Sequence, residues 1–118
     1  MRIGDVIDKK DLSARVDGDI EFVKELIDVF LEDYPKLLSD LKDAVEKRNA
    51  QLLNKYAHTL KGSVGNFAAK GAFDMASKLE TMGQDSDFSN VDESYKSLEV
   101  EIEQLKQAME LLKNEVSL

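Results

Sequence analysis

Apolar residues in this chain recur mostly at three- and four-residue spacing, which is the period of an amphipathic helix. Residues 8–16 predict a short helix that lies across the end of a longer one. The next helix begins after Asp19, whose carboxylate can cap it by accepting a hydrogen bond from a free backbone amide. Pro35 lies inside this second pattern, and because proline lacks an amide donor we expect a kink or a break near Tyr34. The apolar residues on either side are Phe22, Val23, Leu26, Ile27, Phe30, Leu31, Leu37, Leu38, Leu41 and Val45.

The third pattern of regularly spaced apolar residues predicts a helix from about residue 50 to about residue 67, after a turn at Asn49. Its apolar residues span an arc of roughly 140°: Leu52, Leu53, Tyr56, Ala57, Leu60, Val64 and Phe67. His58, the only histidine of the chain, lies about 160° from the centre of that arc, so packing of the helix should hold its imidazole in solvent. Gly62 and Gly65 follow on the outward side. Since glycine in a helix costs about 0.5–1 kcal/mol relative to alanine, the two glycines indicate that something large approaches the ring.

Two more helices complete the pattern. The first covers residues 69–82, with Gly83 as its C-terminal cap. A loop over residues 84–89 follows, and Ser89 or Asn90 can cap the last helix. That helix has a continuous seam of apolar residues spaced alternately by four and three: Val91, Tyr95, Leu98, Ile102, Leu105, Met109, Leu112 and Val116.

Together these patterns predict an all-α fold, an antiparallel up-down four-helix bundle with a short extra N-terminal helix. One domain over residues 1–118 is expected, since no internal repeat or linker is present. Met75, Met82 and Met109 all fall on apolar stripes, and we interpret them as core residues that fill gaps.

Composition narrows the class of protein. The chain has no cysteine, so neither a disulfide framework nor a thiolate metal site is available. Its 16 Lys and Arg against 24 Asp and Glu give a formal charge of −8, which disfavours binding to nucleic acid or to anionic lipid. No segment has the apolar run of a signal peptide or a membrane span. We therefore expect a cytoplasmic protein, and the polar outer faces favour a monomer.

The residues around His58 resemble a known family. The motif Ala57-His58-Thr59-Leu60-Lys61-Gly62-Ser63, followed by Gly65-Asn66 and by Ala76-Ser77-Lys78-Leu79-Glu80, is similar to the histidine-phosphotransfer (HPt) domains of bacterial multistep phosphorelays. Only the His-x-x-Lys-Gly core is specific, although Asp17-Gly18-Asp19 and the following Phe22 and Phe30 also look like that family's lead-in to the phosphorylated helix. The resemblance covers nearly the whole chain.

This resemblance implies a phosphoryl carrier. His58 would accept a phosphoryl group from an aspartyl phosphate on a receiver domain and pass it to another receiver. Lys61 would contact the phosphoryl oxygens or the receiver, and Gly62 and Gly65 would give the receiver clearance. The implied partners are response-regulator receiver domains and a hybrid sensor kinase. The chain would need no cofactor of its own, because the Mg²⁺ that neutralises the transferred charge would sit in the receiver.

Two positions depart from the family pattern. Ala68 stands where glycine is frequent, so the family pattern does not specify the conformation of the turn after the helix that carries His58. Ala72 stands where leucine is usual, which indicates that Phe67 or Phe73 fills the space.

Two other classes of function compete with this one. A non-catalytic adaptor bundle, in which His58 is incidental, remains an alternative. A hydrolytic or metal enzyme is disfavoured because one histidine, no cysteine and no paired inward carboxylates leave few groups for a site. The chain has no Gly-rich phosphate loop, so we do not expect it to bind ATP. Gln51 and Asn54 are interpreted most simply as solvating residues; the alternative is that one of them orients the imidazole.

Overall fold

The computed structural model describes all 118 residues. All of its regular secondary structure is helical. A 3-10 turn, Ile3–Asp5, precedes five α-helices, which are α1 (Lys9–Arg15), α2 (Ile20–Glu46), α3 (Ala50–Gly65), α4 (Lys70–Gln84) and α5 (Val91–Leu112). The molecule is elongated, 44 × 22 × 22 Å. The short N-terminal helix and the four long ones were all predicted, whereas the 3-10 turn was not.

Side-chain caps fix where three of the helices begin. Asp8, Asp19 and Asn49 each accept a hydrogen bond from the backbone amide three residues on, at 3.0, 3.0 and 3.1 Å. Such a bond satisfies one of the amides that the first helical turn leaves without a partner. The cap at Asp19 confirms the sequence prediction. Asn90 precedes α5 as expected, but its side chain makes no capping bond.

Of the kink or break expected near Tyr34, the break does not occur. Helix α2 runs without interruption from Ile20 to Glu46 with the proline inside it. Pro35 is exposed, so its missing amide is lost on the side of the helix that faces water. The aromatic rings of Phe30 and Tyr34 stack just before it, with centroids 5.4 Å apart. Packing on the buried side therefore continues past the proline and keeps the helix intact.

The core lies between the four long helices. Helix α3 packs mainly against α4, α4 also against α5, and α2 against both α3 and α5. The largest side chains that are fully buried are Ile7, Leu12, Val23, Ile27, Leu41, Leu53, Leu60, Leu79, Leu98, Leu105, Met109 and Leu112. Met82 and Met109 are buried and Met75 packs against the same core, as predicted. Burial of Leu12 shows that α1 also contributes to this core.

The end of α4 differs from the prediction. Gly83 does not cap the helix, because α4 continues to Gln84 and its C-cap residue is Asp85. Gly83 is instead buried where α3 and α4 come closest. A Cβ atom at this position would lie 2.5 Å from the backbone nitrogen of Asn54 and 2.9 Å from the carbonyl oxygen of Ala50. The glycine is thus needed for close packing of two backbones.

The end of α5 is also earlier than predicted. Seven residues of the predicted seam, from Val91 to Leu112, are buried. Val116 is not, since the helix ends at Leu112 and the valine is 89% exposed. Similarly, Phe67 lies beyond the end of α3 yet is buried, with its ring edge-on to Phe30 at a centroid distance of 5.7 Å.

The turn between α3 and α4 is made despite the absence of glycine at residue 68. Ala68 adopts a left-handed conformation with φ of 54°, which costs a non-glycine residue about 1–2 kcal/mol. Its carbonyl oxygen accepts a hydrogen bond from the amide of Asp8 at 3.0 Å. The strained turn is therefore tied to the start of α1.

Candidate functional site

His58 stands on the outer face of α3. Its side chain is 69% exposed, whereas Ala57 and Leu60, on the inner face of the same helix, are 0% and 1% exposed. The stripe of apolar residues sets the rotation of the helix, and the imidazole consequently points into solvent. This confirms the orientation that the sequence predicted.

Glu80 of α4 holds both His58 and Lys61. One carboxylate oxygen bonds Nδ1 of His58. The other accepts a hydrogen bond from Nζ of Lys61 at 2.6 Å. The side chain of Glu80 is 17% exposed, so it is partly buried at the contact between the two helices. The three residues form one connected group that spans the two most closely packed helices.

The imidazole is therefore oriented by α4 and not from within α3. Neither Gln51 nor Asn54 bonds His58, so the idea that one of them orients the ring is wrong. Asn54 instead donates from Nδ2 to the backbone carbonyl of Glu80 at 2.9 Å. That bond helps to fix the position of Glu80 along the axis of α3.

The charge on Glu80 decides which imidazole nitrogen is available. The hydrogen bond from Lys61 has the largest effect and lowers the pKa of Glu80 below its ordinary value of 4.5; burial opposes this in part, and the hydrogen bond from His58 lowers the pKa further. An ionised carboxylate can only accept hydrogen bonds. Nδ1 must then be the donor, and in the neutral ring Nε2 carries the free lone pair. The nitrogen that can act as a nucleophile is thus the one remote from Glu80.

The two glycines of α3 have different surroundings. A Cβ atom on Gly62 would meet nothing within 4 Å, whereas one on Gly65 would lie 3.3 Å from the Phe73 ring of α4. Gly62 lies one turn beyond His58 and leaves the surface there low. Gly65 makes room for a side chain of the same molecule. Both face an open groove of about 460 Å³ that reaches from Lys61 to α1.

The structure shows no arrangement suited to a resident metal ion. No three His, Asp or Glu side chains lie close enough together to coordinate one.

None of the helices is both long enough and apolar enough to cross a membrane.

Sequence reasoning included Glu80 in the motif but gave it no role. The missed signal is positional. Helices α3 and α4 are joined by a short turn over residues 66–69 and His58 lies about two turns of helix before it, so a long side chain about two to three turns after it can reach the imidazole. Glu80 is at that distance, one residue after the buried Leu79, and this places it at the edge of the interface between the helices.

Comparisons with known proteins agree with this geometry. The family model of the Hpt domain matches residues 25–115. The fold is similar to the crystal structure of histidine-containing phosphotransfer protein B (HptB) from Pseudomonas aeruginosa PAO1, with a TM-score of 0.83 and 20% sequence identity over 91% of this chain and 93% of that one. A search of curated proteins finds no match.

The chain belongs to the Hpt domain family. It is a histidine phosphotransfer protein of the phosphorelay type, as the resemblance in the sequence implied. Proteins of this family work with receiver domains and kinases. The adaptor alternative is not favoured.

Proposed function

We propose that His58 is the phosphoacceptor, receiving a phosphoryl group from an aspartyl phosphate of a receiver domain and passing it to the aspartate of another. The observation that carries this proposal is the imidazole itself. It is 69% exposed, and its Nδ1 is bonded to an ionised carboxylate. Nε2 therefore points outward with a free lone pair, which is what a nucleophile requires.

The transfer exchanges one bond to phosphorus for another. The lone pair on Nε2 forms the N–P bond while the bond between the phosphorus and the aspartyl oxygen breaks, and the partner's aspartate leaves as a carboxylate. The proton on Nδ1 remains hydrogen-bonded to Glu80, which offsets the positive charge that develops on the ring. Return transfer to a second receiver reverses the same step.

Lys61 and the glycines have supporting roles in this proposal. Lys61 lies about 60° around the helix from His58 and already binds Glu80, so a small movement of its ammonium would reach the oxygens of the phosphoryl group. Gly62 and Gly65 keep the surface low for the receiver, with Gly65 doing so indirectly through the position of Phe73. The Mg²⁺ that neutralises the transferred phosphoryl group would be held by the receiver. The chain acts as a carrier phosphorylated by its partners.

We also propose that residues 1–118 form a single antiparallel up-down bundle, with α1 lying across one end. Contacts between distant parts of the chain support this topology. Lys113 near the end of α5 bonds Asp28 near the start of α2, and Tyr95 near the start of α5 donates to the carbonyl oxygen of Leu38 at 3.3 Å. A cytoplasmic monomer remains the expected state.

A labelling experiment tests the function. The chain is incubated with a receiver domain that carries ³²P on its aspartate, in the presence of Mg²⁺. We expect acid-labile, base-stable label to appear on the chain and to map to the peptide containing residue 58. Binding of the receiver without any label would instead support the adaptor alternative.

Replacement of Gly62 tests the proposed clearance. Gly62→Gln places a long side chain one turn beyond His58, where the structure has open space. We expect helix content by circular dichroism to be unchanged and the phosphotransfer rate constant to fall by about tenfold or more, because a misplaced partner loses the alignment of the reacting atoms. Gln51→Ala, on the same face but two turns before His58, should leave the rate constant unchanged. An unchanged rate in Gly62→Gln would remove the clearance role.

Replacement of Glu80 tests the orientation of the imidazole. Glu80→Gln keeps the shape but removes the charge, so a charge-assisted hydrogen bond becomes a neutral one. Such bonds differ by roughly 1–1.5 kcal/mol, and we expect the single-turnover transfer rate to fall about tenfold. Asp74→Asn, the same chemical change at an exposed residue of α4, is the control and should have no effect.

The same variant should change the pH dependence of stability. Because the pKa of Glu80 is lowered in the folded state, its stabilising contribution is present above the ordinary value of 4.5 and is lost as the pH falls through the lower folded value. The difference in unfolding free energy between the native chain and Glu80→Gln, measured with urea, should therefore shrink at acid pH. A constant difference would show that the charge of Glu80 is not involved.

A further inference from the structure

Charge is distributed unevenly along this acidic chain. From Lys47 to Phe73 there are five basic residues and no Asp or Glu, which gives this segment a formal charge of +5 and leaves −13 on the rest. The segment comprises α3, the turns on either side of it and the first four residues of α4. The basic residues are Lys47, Arg48, Lys55, Lys61 and Lys70.

Four of these five cations are already paired with carboxylates of the same chain. Their partners lie within 4.0 Å: Lys47 with Asp43, Arg48 with Asp92, Lys61 with Glu80, and Lys70 with Asp74. Lys55 is the exception. It is exposed, it forms no ion pair, and its Nζ lies 5.9 Å from the centre of the Tyr56 ring.

Lys55 and Lys61 bracket His58. They lie three residues before and three residues after it, so each is about 60° around the helix on opposite sides of the imidazole. Lys61 is on the side that faces α4, where Glu80 holds it. Lys55 is on the side away from α4 and has no such restraint. His58 therefore has one neighbouring cation, Lys61, that is paired within the chain and a second, Lys55, that is free to pair with a partner.

Two of the other three long helices, α2 and α5, have the opposite charge. Helix α2 contains eight acidic and three basic residues, and α5 contains six acidic and two basic ones. Helix α5 packs against α4 and α2 and so lies across the bundle from α3. A negatively charged partner would be repelled by these faces and attracted to the one that carries His58.

We propose that Lys55 pairs with a carboxylate at the rim of the receiver's phosphorylation site, and that the charge asymmetry of the bundle orients the encounter. This rests on the proposed function of His58. A receiver that binds Mg²⁺ beside its aspartate must supply further oxygen ligands, chiefly carboxylates, so its surface near the phosphoryl group is negative. Attraction between oppositely charged faces raises association rates by about 10- to 1,000-fold when screening is weak.

The test compares two charge reversals with the same change in net charge. Lys55→Glu alters the cation beside His58. Lys96→Glu alters an exposed lysine of α5, on the helix across the bundle. The association rate constant with the unphosphorylated receiver is measured by stopped-flow fluorescence at about 50 mM and about 500 mM NaCl, which shortens the screening length severalfold. Single-turnover transfer is measured separately at saturating phosphorylated receiver.

We expect Lys55→Glu to lower the association rate constant about tenfold at low salt, and Lys96→Glu to change it less than about twofold. The difference should nearly disappear at high salt, and transfer at saturating receiver should be unaffected in both variants. Lys55→Gln, which removes the charge without reversing it, should have an intermediate effect. Equal association rate constants for Lys55→Glu and Lys96→Glu at low salt would overturn the proposal. Failure of His58 to become labelled in the native chain, with association still dependent on Lys55, would instead overturn the phosphoacceptor function.

Discussion

His58→Gln should accept no phosphoryl group from a phosphorylated receiver. Glutamine has an amide in place of the imidazole, and the amide nitrogen has no lone pair available for attack on phosphorus. The side chain of His58 is 69% exposed, so we expect the change to leave the fold intact, with circular dichroism and the midpoint of urea unfolding close to those of the native chain. Loss of label should therefore be complete and not a consequence of unfolding.

Two comparisons make this result specific. Gln51→Ala, two turns earlier on the exposed face of α3, should be labelled as fast as the native chain. Receiver binding should survive in His58→Gln, because the remainder of the docking face is unchanged. A folded His58→Gln protein that still acquires acid-labile phosphate would show that another residue is the acceptor.

Gly83→Ala should destabilise the fold by about 2–4 kcal/mol, at or above the usual range for an overpacked core. The new methyl group would lie 2.5 Å from the backbone nitrogen of Asn54. Backbone atoms cannot rotate away as a flexible side chain can, so α3 and α4 would have to separate. We expect the midpoint of urea unfolding to fall, and transfer to slow as well, because Glu80 would move away from His58.

Gly62→Ala is the matched control for that variant. It adds the same methyl group to a helical glycine, but at a position where nothing lies within 4 Å. We expect it to stabilise the chain by about 0.5–1 kcal/mol, which is the difference in helix propensity between the two residues. If both alanine variants were equally stable, close packing at Gly83 could not be the reason for the glycine.

Local patterns predicted most of the helices because an amphipathic helix has a period that can be read from neighbouring residues. The apolar stripes placed α2 to α5, and the cap at Asp19 placed the start of α2. Pro35 and Gly83 were misjudged for one shared reason. Their usual effects on an isolated helix, a break and a stop, were outweighed by packing against other helices, which the local sequence does not contain.

The site divides in the same way. The outward direction of His58 follows from the stripe on its own helix, and the likeness to histidine-phosphotransfer domains follows from the motif around it. The role of Glu80 cannot be read from the local sequence, since it depends on how far α4 is shifted along its axis relative to α3. The distinction between Gly62 and Gly65 likewise depends on where Phe73 falls.

The sequence by itself determined that this chain is helical, which face of each helix is buried, and that its one histidine stands in solvent. These properties depend on residues within a few turns of each other. The tertiary structure decided which nitrogen of His58 is free and which of the neighbouring lysines remains unpaired. Both depend on a carboxylate 22 residues away in sequence, on a helix that packs closely against α3 at Gly83.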